Sequence, residues 1–446
     1  MSEEHLFHTT RSYRSCSYKS AIISHFTISI SCNKLDKQFK CKMSVNNIEE
    51  WVKLALKNED LVDYKIDLHG KTSNEDGYLS DIVFVTVNGK TKMGQEKCVD
   101  LAIKFAKVST TFRKEAPIRE LFQKEIYIYD RVVTSFRKFQ EEMGRENLLD
   151  YMAQCYATQA IESGELLILE NLKTQGYDLW DRKVPMNWDH LKIILESYGK
   201  WHAFSFALRH RRKEIFEKLV ENNINLFSYF VLKANMVDGL FENIKRARDL
   251  SGISPEEIKM LQFTKSGVES IFTDFYTKDP DHQIIMHGDC WTNNFMFKSQ
   301  EPSGKPASLR ILDWQCSGLA SPVLDLSYFI YTCCDTAKYK DVKDLLRVYY
   351  DSLNECLTYL GCDASNIFAY EHLLQHWKMF SLYGLVNSAF ILKYSLCDSD
   401  EAPDLAQAAE QGKSFADNIK FTPKNEEVYF ERMRGNFSHY VKNLKI

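Results

Sequence analysis

The feature that most restricts how this chain can fold is a lysine in the middle of an apolar run, Leu101-Ala102-Ile103-Lys104-Phe105-Ala106. An ammonium set among apolar side chains is costly unless an anion meets it. The fold therefore has to deliver a negative group to Lys104 from elsewhere. A second strand-like segment, Ser80 to Asn88, precedes the run; it is rich in β-branched and aromatic residues and closes on the turn dipeptide Asn88-Gly89. Two strands about a turn predict an antiparallel sheet near the N terminus.

The next segment, Ile118 to Met143, contains neither Gly nor Pro before Gly144 and predicts a substantial helix. Phe122, Glu125 and Tyr129 stand at i, i+3 and i+7 and share one helical face, which turns Glu125 inward between aromatic neighbours. Glu125 is the expected partner of Lys104. Glu115 and Glu120 are rivals by position but do not share that face, and the bland alternative is a lysine pointing to solvent with a surface glutamate. Leu166-Leu167-Ile168-Leu169 reads as a short buried strand, and Glu170-Asn171-Leu172 leads from it into a loop.

Elsewhere the period is helical. Asn47 is placed to cap a helix through Leu56, and Asp189 to Leu208 presents Leu191, Ile194, Leu195, Tyr198 and Trp201 on one face. The expected class is α+β: an N-terminal lobe of sheet and helix over 43–172, a larger mainly helical lobe over 173–446, and a cleft between them. A chain of 446 residues exceeds one core of ordinary size. Residues 1–42, rich in Ser, Lys and His and ending before Met43, show no period and read as a disordered extension.

Composition removes several function classes. With 44% hydrophobic and 26% charged residues the chain is a folded globular protein, and a net charge of -4 gives no general attraction to nucleic acid. The basic run Arg209-His210-Arg211-Arg212-Lys213 fits a solvated helix end, where cations are favoured. Twelve scattered cysteines without a C-x-x-C write neither a zinc site nor a disulfide framework, and suit reduced thiols in the cytoplasm. Polar residues interrupt both apolar stretches, Ala21 to Ile30 and Trp377 to Tyr394, so neither a signal segment nor a membrane span is expected, and no obligate protein partner is evident.

The chemistry is concentrated in two segments around the loop Ser299 to Pro306. The first is Ile285-Met286-His287-Gly288-Asp289-Cys290-Trp291-Thr292-Asn293-Asn294 and the second Leu309-Arg310-Ile311-Leu312-Asp313-Trp314-Gln315. Phosphoryl transfer needs a carboxylate to orient a hydroxyl and accept its proton, and an amide oxygen with a second carboxylate to hold Mg²⁺. Asp289 fits the first task, Asn294 and Asp313 the second, and His287 can organise the loop. Lys104 then meets the phosphate of ATP. Glu75-Asp76-Gly77-Tyr78-Leu79-Ser80 is the candidate phosphate loop, with Gly77 for the turn and Ser80 for a hydroxyl or amide, although a plain hairpin turn explains it equally well. Glu170 to Leu172 suits the adenine-binding connection through its backbone.

Together these residues resemble the ecdysteroid kinase-like family, an insect-rich group related to choline and aminoglycoside kinases. The resemblance runs from about Trp51 to about Gly384 and rests on His287 to Asn294, Leu312 to Gln315, Phe122-x-x-Glu125-x-x-x-Tyr129 and Leu169 to Leu172. It implies a protein-kinase-like two-lobed fold, ATP and Mg²⁺ in the cleft, and a small-molecule alcohol, such as an ecdysteroid or a xenobiotic, as acceptor. By position it makes Asp289 the catalytic aspartate, Asn294 and Asp313 the metal ligands, and Lys104 with Glu125 the phosphate-positioning pair. A catalytically idle binding protein and a choline- or aminoglycoside-type kinase are the competing readings. His202 reads as a hydrogen-bonded core histidine, and Asp325 as a buried carboxylate supporting the His287 loop through its backbone amides. The acceptor pocket is expected along Tyr370, His376, Trp377, Phe380 and Tyr383, although such aromatic stripes are usually core.

Overall fold

The computed structural model describes residues 27–30, 45–71, 80–221, 223–339, 341–398, 401, 410–411, 421 and 423–444. Gly77 and its neighbours lie outside this set, so the candidate phosphate loop is described only at its end, Ser80.

A six-stranded sheet opens the chain, in the order β1-β2-β3-β4-β6-β5. Its members are β1 (Thr27–Ile30), β2 (Val62–Lys71), β3 (Ser80–Lys90), β4 (Glu96–Ala106), β5 (Cys155–Gln159) and β6 (Leu166–Glu170). All neighbours pair antiparallel except β1, which lies parallel to β2. The period of two puts Leu101 and Ile103 of β4 into a core with Val83, Val85 and the helix α1 (Val45–Ala55), and turns Ala102 and Lys104 to the other face. Helix α1 begins at Val45, so Asn47 lies inside it and does not cap it. Asn88-Gly89 is also not the turn: both residues remain in β3, and the hairpin closes at Thr91 to Gln95 around Gly94, whose φ is +80°. Gly89 serves β2 instead, because a Cβ there would stand 2.7 Å from Cβ of Tyr64.

The long helix α2 runs over Ile118–Tyr127, widens to a π-helical stretch at Ile128–Val133 and resumes over Thr134–Glu142. Its apolar face, with Phe122, Ile126, Tyr129 and Phe136, belongs to the large core of the helical lobe. That core is built around α3 (Trp188–Arg211), α5 (Pro322–Cys333), α6 (Val342–Tyr359), α7 (Tyr370–Phe380), α8 (Leu382–Leu396) and α9 (Glu426–Asn443); the short helix α4 (Leu226–Lys233) lies at its edge. This is the α+β, two-lobed plan expected from the sequence. The basic run does end α3, and it is tied down: Arg209 donates to the carbonyls of Pro280, Asp281 and Gln283, and Arg211 to that of Gly361. Every described cysteine is a free thiol, and no helix among the described residues is long and apolar enough to cross a membrane.

Against the core of the helical lobe the chain forms two small sheets: β10 (Lys305–Ile311), β9 (Phe295–Gln300) and β7 (Tyr177–Leu179), and the pair β11 (Gly318–Ala320) with β8 (Ile284–Met286). The β9–β10 hairpin sets Phe295 opposite Ile311. This register is why two distant motifs meet: Asn294 and Leu312 flank the pair, and the Leu312 N–H donates to the Asn294 carbonyl at 2.9 Å.

Candidate active site

Lys104 is buried, and its ammonium reaches Glu125 Oε2 at 2.6 Å and Asp313 Oδ1 at 2.8 Å. The anion demanded by the apolar run is therefore supplied twice. Burial by itself would depress the Lys104 ammonium; Asp313 and Glu125 outweigh it and hold the group above its ordinary range. Glu125 is 1% exposed and is pushed up by burial against the opposing pull of Lys104. Its other oxygen accepts the Trp314 backbone N–H at 3.3 Å, which locks α2 to the segment following Asp313. Glu115 and Glu120 are both exposed.

Asp313 stands two residues beyond β10 with φ +62° and ψ +66°, a left-handed conformation that Asp tolerates better than branched residues. The Gln315 amide donates to its Oδ2 at 3.2 Å. Asn294 places its amide nitrogen on Asp289, 2.8 Å from the carbonyl and 2.9 Å from Oδ2, leaving its amide oxygen for a cation. The Tyr328 hydroxyl donates to Asp289 Oδ1 at 3.1 Å. Burial first, and then the charge of Asp313, push the Asp289 carboxyl up to about 7, against the hydrogen bonds of Asn294 and Tyr328.

His287 does not reach into the cavity. It is fully buried, its Nε2–H donates to the Leu312 carbonyl at 2.9 Å, and its Nδ1 accepts from the Tyr198 hydroxyl at 3.0 Å. Burial lowers its basicity, and its two hydrogen bonds tie the loop before Asp289 to the strand before Asp313. Asp325 supports the same loop as expected: its oxygens accept the N–H groups of His287 at 2.7 Å and Gly288 at 2.9 Å. His202 donates to Asp325 at 3.1 Å and accepts from Tyr349, as a core histidine. Gly288, with φ +87°, lets the loop cross the Cys316 carbonyl; a Cβ there would lie 2.2 Å from that oxygen.

Lys104, Glu125, Asp289, Asn294 and Asp313 border one cavity of about 320 Å³, which Ser80, Glu170 and Leu172 also line. The Glu170 carboxylate is occupied by the Gln154 N–H at 2.9 Å and the Gln175 amide at 2.6 Å, so its side chain braces the connection. One wall comes from the sheet through Ile82, Phe84, Ala102 and Leu169, and the other from helices through Phe227, Phe230, Phe390, Ile391 and Tyr394. Tyr370, His376, Trp377, Phe380 and Tyr383 do not line it; Trp377, Phe380 and Tyr383 are packed in the large core. Sequence reasoning missed Tyr328, although it stands at i+3 from Asp325 and so shares the face that α5 turns to the loop.

Comparison with known proteins agrees with the geometry. Residues 74–362 match the ecdysteroid kinase-like family, a span that includes Lys104, Glu125, Asp289, Asn294 and Asp313. The chain belongs to the ecdysteroid kinase-like family. No curated protein matches it. Among solved structures it is similar to the GDP complexes of a mutant aminoglycoside 2'-phosphotransferase (12% identity, 83% of this chain and 97% of that one, TM-score 0.37) and of the wild-type enzyme (11%, 82% and 98%, TM-score 0.35). An aminoglycoside 3'-phosphotransferase of type VIII is also similar, at 12% identity over 69% of this chain and 88% of that one, with a TM-score of 0.29.

Proposed function

We propose that this ecdysteroid kinase-like chain is an ATP- and Mg²⁺-dependent phosphotransferase that phosphorylates a hydroxyl of an apolar small molecule, an ecdysteroid or a xenobiotic alcohol. The observation carrying the reading is the convergence of Lys104, Glu125, Asp289, Asn294 and Asp313, from four separate segments, on one cavity. The residues suit both groups. Two carboxylates and an amide oxygen are the hard donors that Mg²⁺ takes, and a buried lysine already balanced by carboxylates is poised for phosphate oxygens. Ile82, Ala102, Leu169 and Leu172 provide an apolar slot for a base next to the connection at Glu170.

When bound, ATP and Mg²⁺ supply the transferable phosphoryl group and the countercharge for its oxygens. Asn294 and Asp313 would hold the metal, and Lys104, kept in place by Glu125, would position phosphate. Asp289 accepts the acceptor's hydroxyl proton, with Tyr328 and Asn294 fixing its two oxygens so that the carboxylate does not have to be organised during the reaction. The acceptor wall favours an apolar neutral alcohol over a cationic one, because Phe227, Phe230, Phe390 and Ile391, which form it, bring no charge.

The test is ATP-dependent phosphate transfer to a panel of apolar neutral alcohols, with choline and aminoglycosides as cationic comparators. Asp289→Asn is expected to cost on the order of 10²-fold or more in kcat while leaving nucleotide binding in place. Undiminished turnover in that variant would overturn the mechanism, and a preference for cationic acceptors would overturn the acceptor class.

A further inference from the structure

A second group of chemistry-bearing side chains stands apart from the cleft. Asp279 and His282 lie in the turn that leads into β8, and His376 projects from α7. His282 Nδ1 is 2.9 Å and His376 Nε2 3.0 Å from the same oxygen, Asp279 Oδ2, and the three donor atoms all fall within 4.8 Å of one another. A tetrahedral zinc ion with bonds of about 2.0–2.1 Å holds its ligand atoms about 3.3 Å apart, so the spacing fits after small side-chain adjustments.

The surroundings favour the ligating form of the histidines. The Nδ1 of His376 lies 2.8 Å from the Ser321 hydroxyl, whose oxygen also accepts the Val323 N–H. An Nδ1–H donated to that oxygen leaves a lone pair on Nε2, aimed at the carboxylate, where a cation has to separate the two. His372, one turn before His376 on α7, packs beside His282 with ring centroids 5.1 Å apart. Its Nδ1 is shielded from solvent without a hydrogen-bond partner among the described residues. Arg209, the cation that approaches this turn, spends its guanidinium on the carbonyls of Pro280, Asp281 and Gln283. Asp279 and His282 remain about a quarter exposed, which leaves room for water on an open coordination position.

We propose that Asp279, His282 and His376 form a binding site for a zinc-class divalent cation, separate from the phosphotransfer cleft, that ties the turn before β8 to α7. Two imidazoles and one carboxylate are a zinc donor set, whereas Mg²⁺ prefers oxygens alone. Two ordinary hydrogen bonds from protonated ring nitrogens to Asp279 are the competing arrangement, and metal titration separates the two.

The full chain, stripped of metal, is titrated with Zn²⁺ against a competing chromophoric chelator, and its thermal midpoint is followed with and without Zn²⁺. One equivalent is expected to bind and to raise the midpoint. Affinity should fall on the order of 10²-fold or more in His376→Ala and in His282→Gln. It should be unchanged in Asp313→Asn, which alters the cleft. His282→Gln changes a partly exposed turn and keeps the measurement available if the buried His376 variant does not fold. Co²⁺ should give a visible spectrum without the near-ultraviolet band of a cobalt–thiolate bond, which separates this site from the twelve cysteines. No stoichiometric binding, equal affinity in His282→Gln, or a thiolate band would overturn the proposal.

Discussion

Asp325→Asn tests the support of the loop from His287 to Asp289 without requiring knowledge of an acceptor. The wild-type carboxylate is 1% exposed and accepts from the His287 N–H, the Gly288 N–H and His202 Nε2–H. The amide is nearly isosteric but has one oxygen where the loop presents a separate N–H to each. One of those donors must then face the NH₂ group with no acceptor. Hydrogen bonds to charged groups contribute about 1.5–3 kcal/mol each, and an orphaned buried donor costs about 1–3 kcal/mol, so the substitution should destabilise by about 3 kcal/mol. Urea unfolding followed by tryptophan fluorescence reads this directly, since Trp201 and Trp314 pack together at 4.4 Å and Trp314 lies against His287 at 4.7 Å. The pH dependence has a definite sign. The folded carboxyl sits below its ordinary value: burial would raise it, but His202 and His287 prevail. Its stabilisation is therefore fully present above the unfolded value of about 3.9 and is lost as pH falls through the lower folded value. The variant should lack that acid-sensitive component. A loss of less than about 1 kcal/mol at neutral pH, or an unchanged acid limb, would refute the assignment.

Two further substitutions probe the helix that faces the loop. Tyr328→Phe removes the donor at 3.1 Å from Asp289 Oδ1 and should lower kcat by about 10- to 100-fold, with the KM for ATP unchanged; a kcat within twofold of wild type would remove Tyr328 from the site. Gly384→Ala places a Cβ 2.1 Å from the Ser327 carbonyl carbon, a backbone contact that cannot yield without separating α8 from α5, and should cost about 3 kcal/mol in unfolding experiments; a wild-type thermal midpoint would show that the helices are not in this contact.

The central site was legible because its residues break their local pattern. Lys104 is a charge in an apolar strand, Asp313 a carboxylate ending another, and Glu125 an acid on an aromatic face, and each anomaly has one economical explanation. The remaining features were hidden for separable reasons. Strand β5 is half-buried at every position and carries no alternation, since it is the edge of the sheet. Strand β2 does alternate, with Tyr64, Ile66 and Leu68 inward, but its charged outward positions mask the signal to a search for β-branched runs. Asn88-Gly89 looks like a hairpin turn, and only the crossing of Tyr64 over Gly89 shows why a glycine is there. The helical wall of the cavity could not be told from core, because Phe227 and Phe390 differ from Trp377 and Phe380 in what packs against them and not in local sequence.

The helix α2 lies in the chain between strands of the sheet, yet its apolar face is embedded in the core of the other lobe, and Glu125 is bonded to the Trp314 backbone beyond Asp313. Lys104 alone of the charged trio is carried by the sheet. Any rocking of the sheet against the rest of the molecule therefore changes the distance from Lys104 to Glu125 and Asp313 while leaving those two carboxylates in register with each other. In such a displacement the acid of the lysine pair would stay with the helical core, and the ammonium on its strand would be the one member of the trio to shift.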